Sequence, residues 1–163
     1  MNGPVCTRIA ERVENRTNLT VLTNSLAIGE RVSTQPVNRG VLLGGDIDLL
    51  EKAVFGPLAL DNATRFFVNQ FFVEVDGISD GLEMTVSSVA KANLIRSVMA
   101  TADNTIAICA PERFSVNAFT RLGSLDDVDA IITAPSVADE NKTRIFERGI
   151  PLFTSVILSE ESS

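Results

Sequence analysis

Two Asp-Gly pairs, Asp76-Gly77 and Asp80-Gly81, close the apolar run Phe71-Phe72-Val73-Glu74-Val75. A run of β-branched and aromatic residues that stops at such a pair reads as a buried strand followed by a tight, backbone-permissive turn. In an open α/β sheet, ligands bind in the crevice beyond the carboxyl ends of the strands. An aspartate there offers a carboxylate, and the adjacent glycine opens access to backbone N–H groups. The chemistry on offer is hydrogen bonding to a small polar ligand, or proton transfer by Asp76 or Glu74. The same dipeptide also serves as a plain strand-ending turn.

Other candidate residues are short polar clusters and single charges. Thr23-Asn24-Ser25 caps a helix, faces a crevice, or does both. Gly44-Gly45 permits either close backbone packing or ligand approach. Arg96 and Arg113 are each a solvated cation or an anion ligand. Cys6 stands near a helix start, where thiolate character rises. Cys109 lies in an apolar strand and reads as a small core residue. Histidine, Trp and Tyr are absent. Without histidine the commonest general base and metal ligand are gone, and Ser-His-Asp and Cys-His catalysis are excluded. The two cysteines give neither zinc spacing nor a disulfide framework, so no metal and no cofactor are expected, and a reducing cytoplasm is the simplest setting. No phosphate-loop or nucleophile-elbow motif occurs.

Composition bounds the remaining classes. The 163 residues are 45% hydrophobic and 21% charged, which fits one globular domain with a real core. The apolar runs are strand-length, far short of a membrane span, and no secretory signal is visible. The net charge is −7, with acidic residues gathered at 46–51 and 126–129. A phosphate-neutralising face needs clustered Lys and Arg, so this chain by itself is not expected to bind nucleic acid.

Helix and strand patterns alternate and must position these groups. Helices are expected over residues 7–15, 26–32, 58–67 (with Pro57 at its start), 89–99 and 138–148. Strands are expected over 19–23, 40–43, 71–75, 105–109, 129–132 and 152–156. Phe66, Phe67, Phe71 and Phe72 are expected in core and sheet packing. The alternation implies βαβ units, hence an α/β single domain with a Rossmann-like, mainly parallel sheet covered by helices. Gly3 looks like the turn at the end of a strand, so the first strand of such a sheet reads as missing. The domain is expected over residues 3–157, with 158–163 a polar tail.

Five segments come in the order and spacing of one family: Leu19-Thr20-Val21-Leu22-Thr23-Asn24-Ser25, Leu42-Leu43-Gly44-Gly45, Phe55-Gly56-Pro57-Leu58-Ala59, Val75-Asp76-Gly77-Ile78, and Leu125-Asp126-Asp127-Val128-Asp129-Ala130-Ile131-Ile132-Thr133. The chain resembles the C-terminal effector-binding domain of DeoR-type transcriptional regulators, a fold similar to ribose-5-phosphate isomerase and the CoA transferases. The resemblance implies a non-catalytic domain that senses a phosphorylated sugar or related metabolite and forms a homodimer or larger. It implies DNA binding only through a winged helix-turn-helix that this sequence does not contain.

The implied site comprises Gly3, Cys6, Thr23, Asn24, Ser25, Gly44, Gly45, Asp76, Gly77, Arg96 and Arg113. Several positions depart from the family pattern. Gly3 is kept, but Pro4 and Val5 replace the hydroxyl residues of its phosphate cradle, and Pro4 has no N–H to donate. Cys6 and Thr7 are weak substitutes. Asp46-Ile47-Asp48 follows Gly45 where the family often carries an Arg. Arg96 replaces a lysine three positions before Met99, and Arg113 keeps a basic position whose neighbouring Asp is lost. Two rivals stand beside this reading. One is a sugar-phosphate isomerase-like enzyme, against which no lysine directly accompanies the Asp-Gly loop. The other is a dimerisation module with a decayed ligand site.

Overall fold

The computed structural model describes residues 3–13 and 16–154. Helix α1 (Pro4–Arg12) starts earlier than its apolar pattern suggests, because Pro4 occupies its first turn and Gly3 precedes it as N-cap. A first-turn N–H has no intrahelical partner, so proline loses nothing there. Strand β1 (Thr20–Thr23), helix α2 (Leu26–Ser33) and strand β2 (Arg39–Leu42) follow, with β1 and β2 parallel. A hairpin of β3 (Asp46–Asp48) and β4 (Ala53–Phe55) leads into α3 (Pro57–Ala63).

Strand β5 (Val68–Glu74) opens a second parallel block. Its partner β8 (Ala102–Ile108) lies after helix α4 (Val89–Met99), followed by β10 (Ala130–Ile132), α5 (Asp139–Glu147) and β11 (Leu152–Phe153). The order in this block is β11-β10-β8-β5 with every neighbour parallel. Between β5 and β8 the chain also forms β6 (Gly77–Ile78) and β7 (Glu83–Val86). These join β9 (Thr120–Ser124) in a small antiparallel sheet ordered β6-β7-β9.

Helices cover both faces of the parallel strands. Phe71, Val73 and Val75 enter the large core with Ala92, Ile95 and Val98 of α4. Phe72 instead packs with Cys6 and Ala10 of α1 and Ile28 and Val32 of α2. This alternation is what a strand buried on two faces requires.

The structure corrects several sequence expectations. Asp76-Gly77 is not the tight turn: Gly77 belongs to β6, and Asp80-Gly81 makes the hairpin turn to β7. The β3–β4 hairpin and the β6-β7-β9 sheet had no counterpart in the sequence reading, since strands of two to five residues carry too few periods to announce themselves. Phe66 and Phe67 lie outside the core, with Phe67 89% exposed. The expected tail and the end of the last strand fall outside the described residues.

Candidate functional site

The carboxyl ends of β1, β5 and β8 carry the polar residues that the sequence singled out. At the end of β1, Thr23 Oγ1 accepts the Ser25 N–H at 3.0 Å, and Ser25 Oγ caps α2 by accepting the Ile28 N–H at 3.4 Å. Asn24 is fully buried and donates from Nδ2 to the Val54 carbonyl at 3.3 Å. Its Oδ1 has no hydrogen-bond partner among the described residues. Gly44 and Gly45 follow β2 and Leu43 and lie against Leu58 and Phe55 respectively.

Asp76 follows β5 and is held on several sides. Lys91 Nζ lies 3.1 Å from Asp76 Oδ1 and 2.9 Å from Oδ2, and the Ser87 N–H donates to Oδ2 at 2.7 Å. Lys91 also faces Glu51 Oε2 at 3.6 Å, and Ser87 Oγ donates to Glu51 Oε1 at 3.2 Å. Lys91 sits in the first turn of α4, whose N-cap Ser88 accepts its backbone N–H. A cation there opposes the helix dipole, and its side chain is only 6% exposed. Two carboxylates compensate it. Sequence reasoning missed this pairing, since Lys91 is fifteen positions from Asp76. The signal was a lone lysine in an apolar first turn, which needs an acidic partner.

Glu74, the last residue of β5, turns to α1. Its Oε2 accepts the Val5 N–H at 3.0 Å and the Cys6 N–H at 3.1 Å. Gly3 has φ 136°, and a Cβ built there would lie 2.0 Å from Glu74 Oε2. The chain's own carboxylate therefore occupies the helix N-terminus that would otherwise receive a ligand anion. Burial holds Glu74 above the usual carboxylate range against these two N–H donors. Cys6 is buried, and loss of solvent pushes its thiol up, which disfavours the reactive thiolate.

Cys109 and Arg113 complete the edge. Burial, with the nearby charge of Glu112, pushes Cys109 up to about 12 while Arg113 opposes. Asp76 and Glu74 act on the same thiol, so these charges cluster at one end of the sheet. Arg113 is exposed in the single turn Pro111–Arg113 and makes no ion pair among the described residues. Arg96 is placed differently: its guanidinium donates to the Leu122 carbonyl at 2.9 Å and the Arg121 carbonyl at 2.5 Å. Gly77 lies within the small antiparallel sheet as part of β6, where a Cβ would meet the carbonyl of Val116, in the segment before β9, at 2.4 Å. The structure thus brings Gly3 and Cys6 to Glu74, and Asp76 to Lys91. It commits Arg96 to β9.

The model of the DeoR C terminal sensor domain matches residues 2–134. The chain belongs to this sensor-domain family. Similar proteins include the glycerol-3-phosphate regulon repressor of Escherichia coli K12, 22% identical over 125 residues, which are 77% of this chain and 50% of the repressor. The HTH-type transcriptional repressor CsqR of the same organism is 24% identical over 162 residues, 99% of this chain and 60% of CsqR. The uncharacterized HTH-type transcriptional regulator YulB of Bacillus subtilis is 32% identical over 117 residues, 71% of this chain and 45% of YulB. The sensor domain spans about half the length of the curated relatives it matches. Among its described residues no helix is long and apolar enough to cross a membrane, and no group of three or more His, Cys, Asp or Glu is arranged to hold a metal ion.

Proposed function

We propose that this sensor domain binds a small metabolite with hydroxyls and one anionic group, of the phosphorylated-sugar class, at the carboxyl edge of its parallel strands. The observation that carries the reading is the pairing of two unlike groups at that edge. Asp76 is an oriented carboxylate, and Arg113 is a guanidinium that makes no ion pair among the described residues. A carboxylate accepts sugar hydroxyls, and a guanidinium takes a phosphate in charge-assisted hydrogen bonds. A relative named for the glycerol-3-phosphate regulon is consistent with this class. Glu74 already fills the first turn of α1, so the anion goes to Arg113.

The domain acts without catalysis, in the cytoplasm, as a homodimer or larger. Effector binding favours one arrangement of paired domains, and so shifts the operator affinity of a DNA-binding segment in a longer regulator. A second reading is favoured by one observation, the Asp76–Lys91 pair. An acid–base pair beside a sugar site also suits an isomerase-like enzyme. A third, a dimerisation module with a decayed site, is favoured by Glu74 lying on α1.

Thermal shift with a panel that includes glycerol 3-phosphate, together with a turnover assay, separates the three. Stabilisation without turnover supports the sensor. Turnover supports the enzyme, and no stabilisation by any phosphosugar supports the decayed site.

A further inference from the structure

The β3–β4 hairpin presents apolar side chains that its own folding does not use. Every residue of the inner strand β4 is buried, and every residue of the outer strand β3 is exposed. Strand β4 is held on its far side by residues 24–26. The Val54 N–H donates to the Asn24 carbonyl at 2.8 Å, and the Leu26 N–H donates to the Lys52 carbonyl at 3.1 Å. Strand β3 pairs only with β4 among the described residues. The turn between them carries Leu49, 83% exposed, and Leu50, 96% exposed. Turns ordinarily take Gly, Asn, Asp, Ser or Pro for backbone reasons that leucine does not serve. Ile47 in β3 is exposed beside them.

The leucines stand on a fixed turn. Asp48 Oδ1 accepts the Leu50 N–H at 2.9 Å and the Glu51 N–H at 3.0 Å. Glu51 ties the turn to the start of α4 through Ser87 Oγ and Lys91 Nζ. Val89, two positions beyond Ser87, is another exposed aliphatic residue. An apolar pair on an anchored turn loses little conformational freedom when it docks. Charges of both signs border it. Asp46 and Asp48 stand on the β3 side and Lys52 on the β4 side. All three are exposed and none forms an ion pair among the described residues. An apolar centre with a polar rim is the anatomy of a protein interface.

We propose that this hairpin tip is a self-association surface, where Leu49 and Leu50 pack on the same residues of a second copy across a twofold axis. The proposal rests on the homodimer reading above and assigns its surface. A twofold contact needs one patch that complements itself. With the axis normal to the hairpin, the β3 side of one tip meets the β4 side of the other. Asp48 then faces Lys52 of the second copy. A partner of a single charge sign would leave one side of the tip opposed by like charge. Joining two copies through their free β3 edges fails the same test. An antiparallel pair centred on Ile47 sets Asp46 opposite Asp48, and like charges directly opposite are destabilising. The two aspartates thus guard the edge and leave the tip as the contact.

Sedimentation equilibrium of the chain over a wide concentration range tests this. The parent is expected to dimerise. Leu49→Asp with Leu50→Asp should raise the dissociation constant by about thirtyfold or more, as loss of an interface centre does. Lys52→Glu sets carboxylate against carboxylate across the axis and should raise it roughly two- to fivefold. Phe119→Asp, at an exposed aromatic before β9, should leave it unchanged. Circular dichroism reports that each variant is folded. Cys6 and Cys109 are buried, so mild oxidation of Leu50→Cys should link two copies through that position alone. If the double aspartate variant fails to fold, this disulfide decides, and its absence overturns the proposal. A parent that stays monomeric overturns the homodimer reading and this surface together. A dimer that the folded double variant leaves intact overturns the surface and keeps the dimer. Equal weakening by Phe119→Asp overturns it too, as does a Lys52→Glu dimer as tight as the parent's.

Discussion

The two parallel blocks are built from sequences of the same kind and differ in how they are covered. In the four-strand block Val73, Ala107 and Ile131 are completely buried. In the two-strand block every residue of β2 and the first three of β1 keep some exposure, and only Thr23 is buried. Strand-forming sequence sets the conformation, but a neighbouring strand sets the burial. The polar edge straddles both blocks. Asp76, Cys109 and Arg113 come from the covered block, and Thr23, Asn24 and Gly44 from the lighter one. A ligand bridging them ties a weakly held element to a firmly held one, which suits a domain that must report occupancy.

The largest expected contrast lies between the blocks themselves. Ile131→Ala opens a cavity in the covered block and is expected to lower unfolding stability by about 2–5 kcal/mol. Val21→Ala in β1 removes a half-exposed side chain and should lower it by less than about 1 kcal/mol. Urea denaturation of both variants measures the contrast, and equal losses would break it.

Asp76→Ala comes next. It leaves the buried Lys91 ammonium with Glu51 at 3.6 Å as its remaining carboxylate in that ion-pair cluster. Breaking a fully buried pair costs about 3–5 kcal/mol. Asp76 is a third exposed, so about 1–3 kcal/mol is expected here. Lys91→Met, which removes the buried charge and keeps the stem, should lose less. A larger loss from Lys91→Met than from Asp76→Ala would show that packing, and not charge, governs this corner.

A smaller effect depends on pH. Glu74 is raised in the folded protein, first by burial, from an ordinary value of 4.5. A carboxyl with a raised folded value adds stability below its unfolded value and loses it as pH rises through the folded one. The melting temperature of the parent relative to Glu74→Gln should therefore fall between pH 4.5 and neutrality. A parent that gains on the variant over that range would mean that the Val5 and Cys6 N–H groups outweigh desolvation.

Much of this layout was legible in the residues, and the gaps have physical causes. Helix α4 matches its expected bounds because eleven residues give three full turns of amphipathic pattern. Strand β5 extends three residues before Phe71, through Val68, Asn69 and Gln70, whose exposure hid them. Asp76, Asn24 and Arg113 were singled out by type and position. The contacts between Lys91 and Asp76 and between Glu74 and Val5 were not, because they form only through the tertiary fold.

Calorimetry with glycerol 3-phosphate and the wider phosphosugar panel tests the central claim most directly, on the parent, Arg113→Ala and Asp76→Asn. At least one phosphosugar should bind the parent without turnover. Loss of one charge-assisted phosphate contact is worth about 1.5–3 kcal/mol, so Arg113→Ala should weaken binding roughly 10- to 100-fold. Asp76→Asn should weaken it less. Undiminished binding to Arg113→Ala, or binding of uncharged sugars alone, would contradict the placement of an anionic effector at this edge.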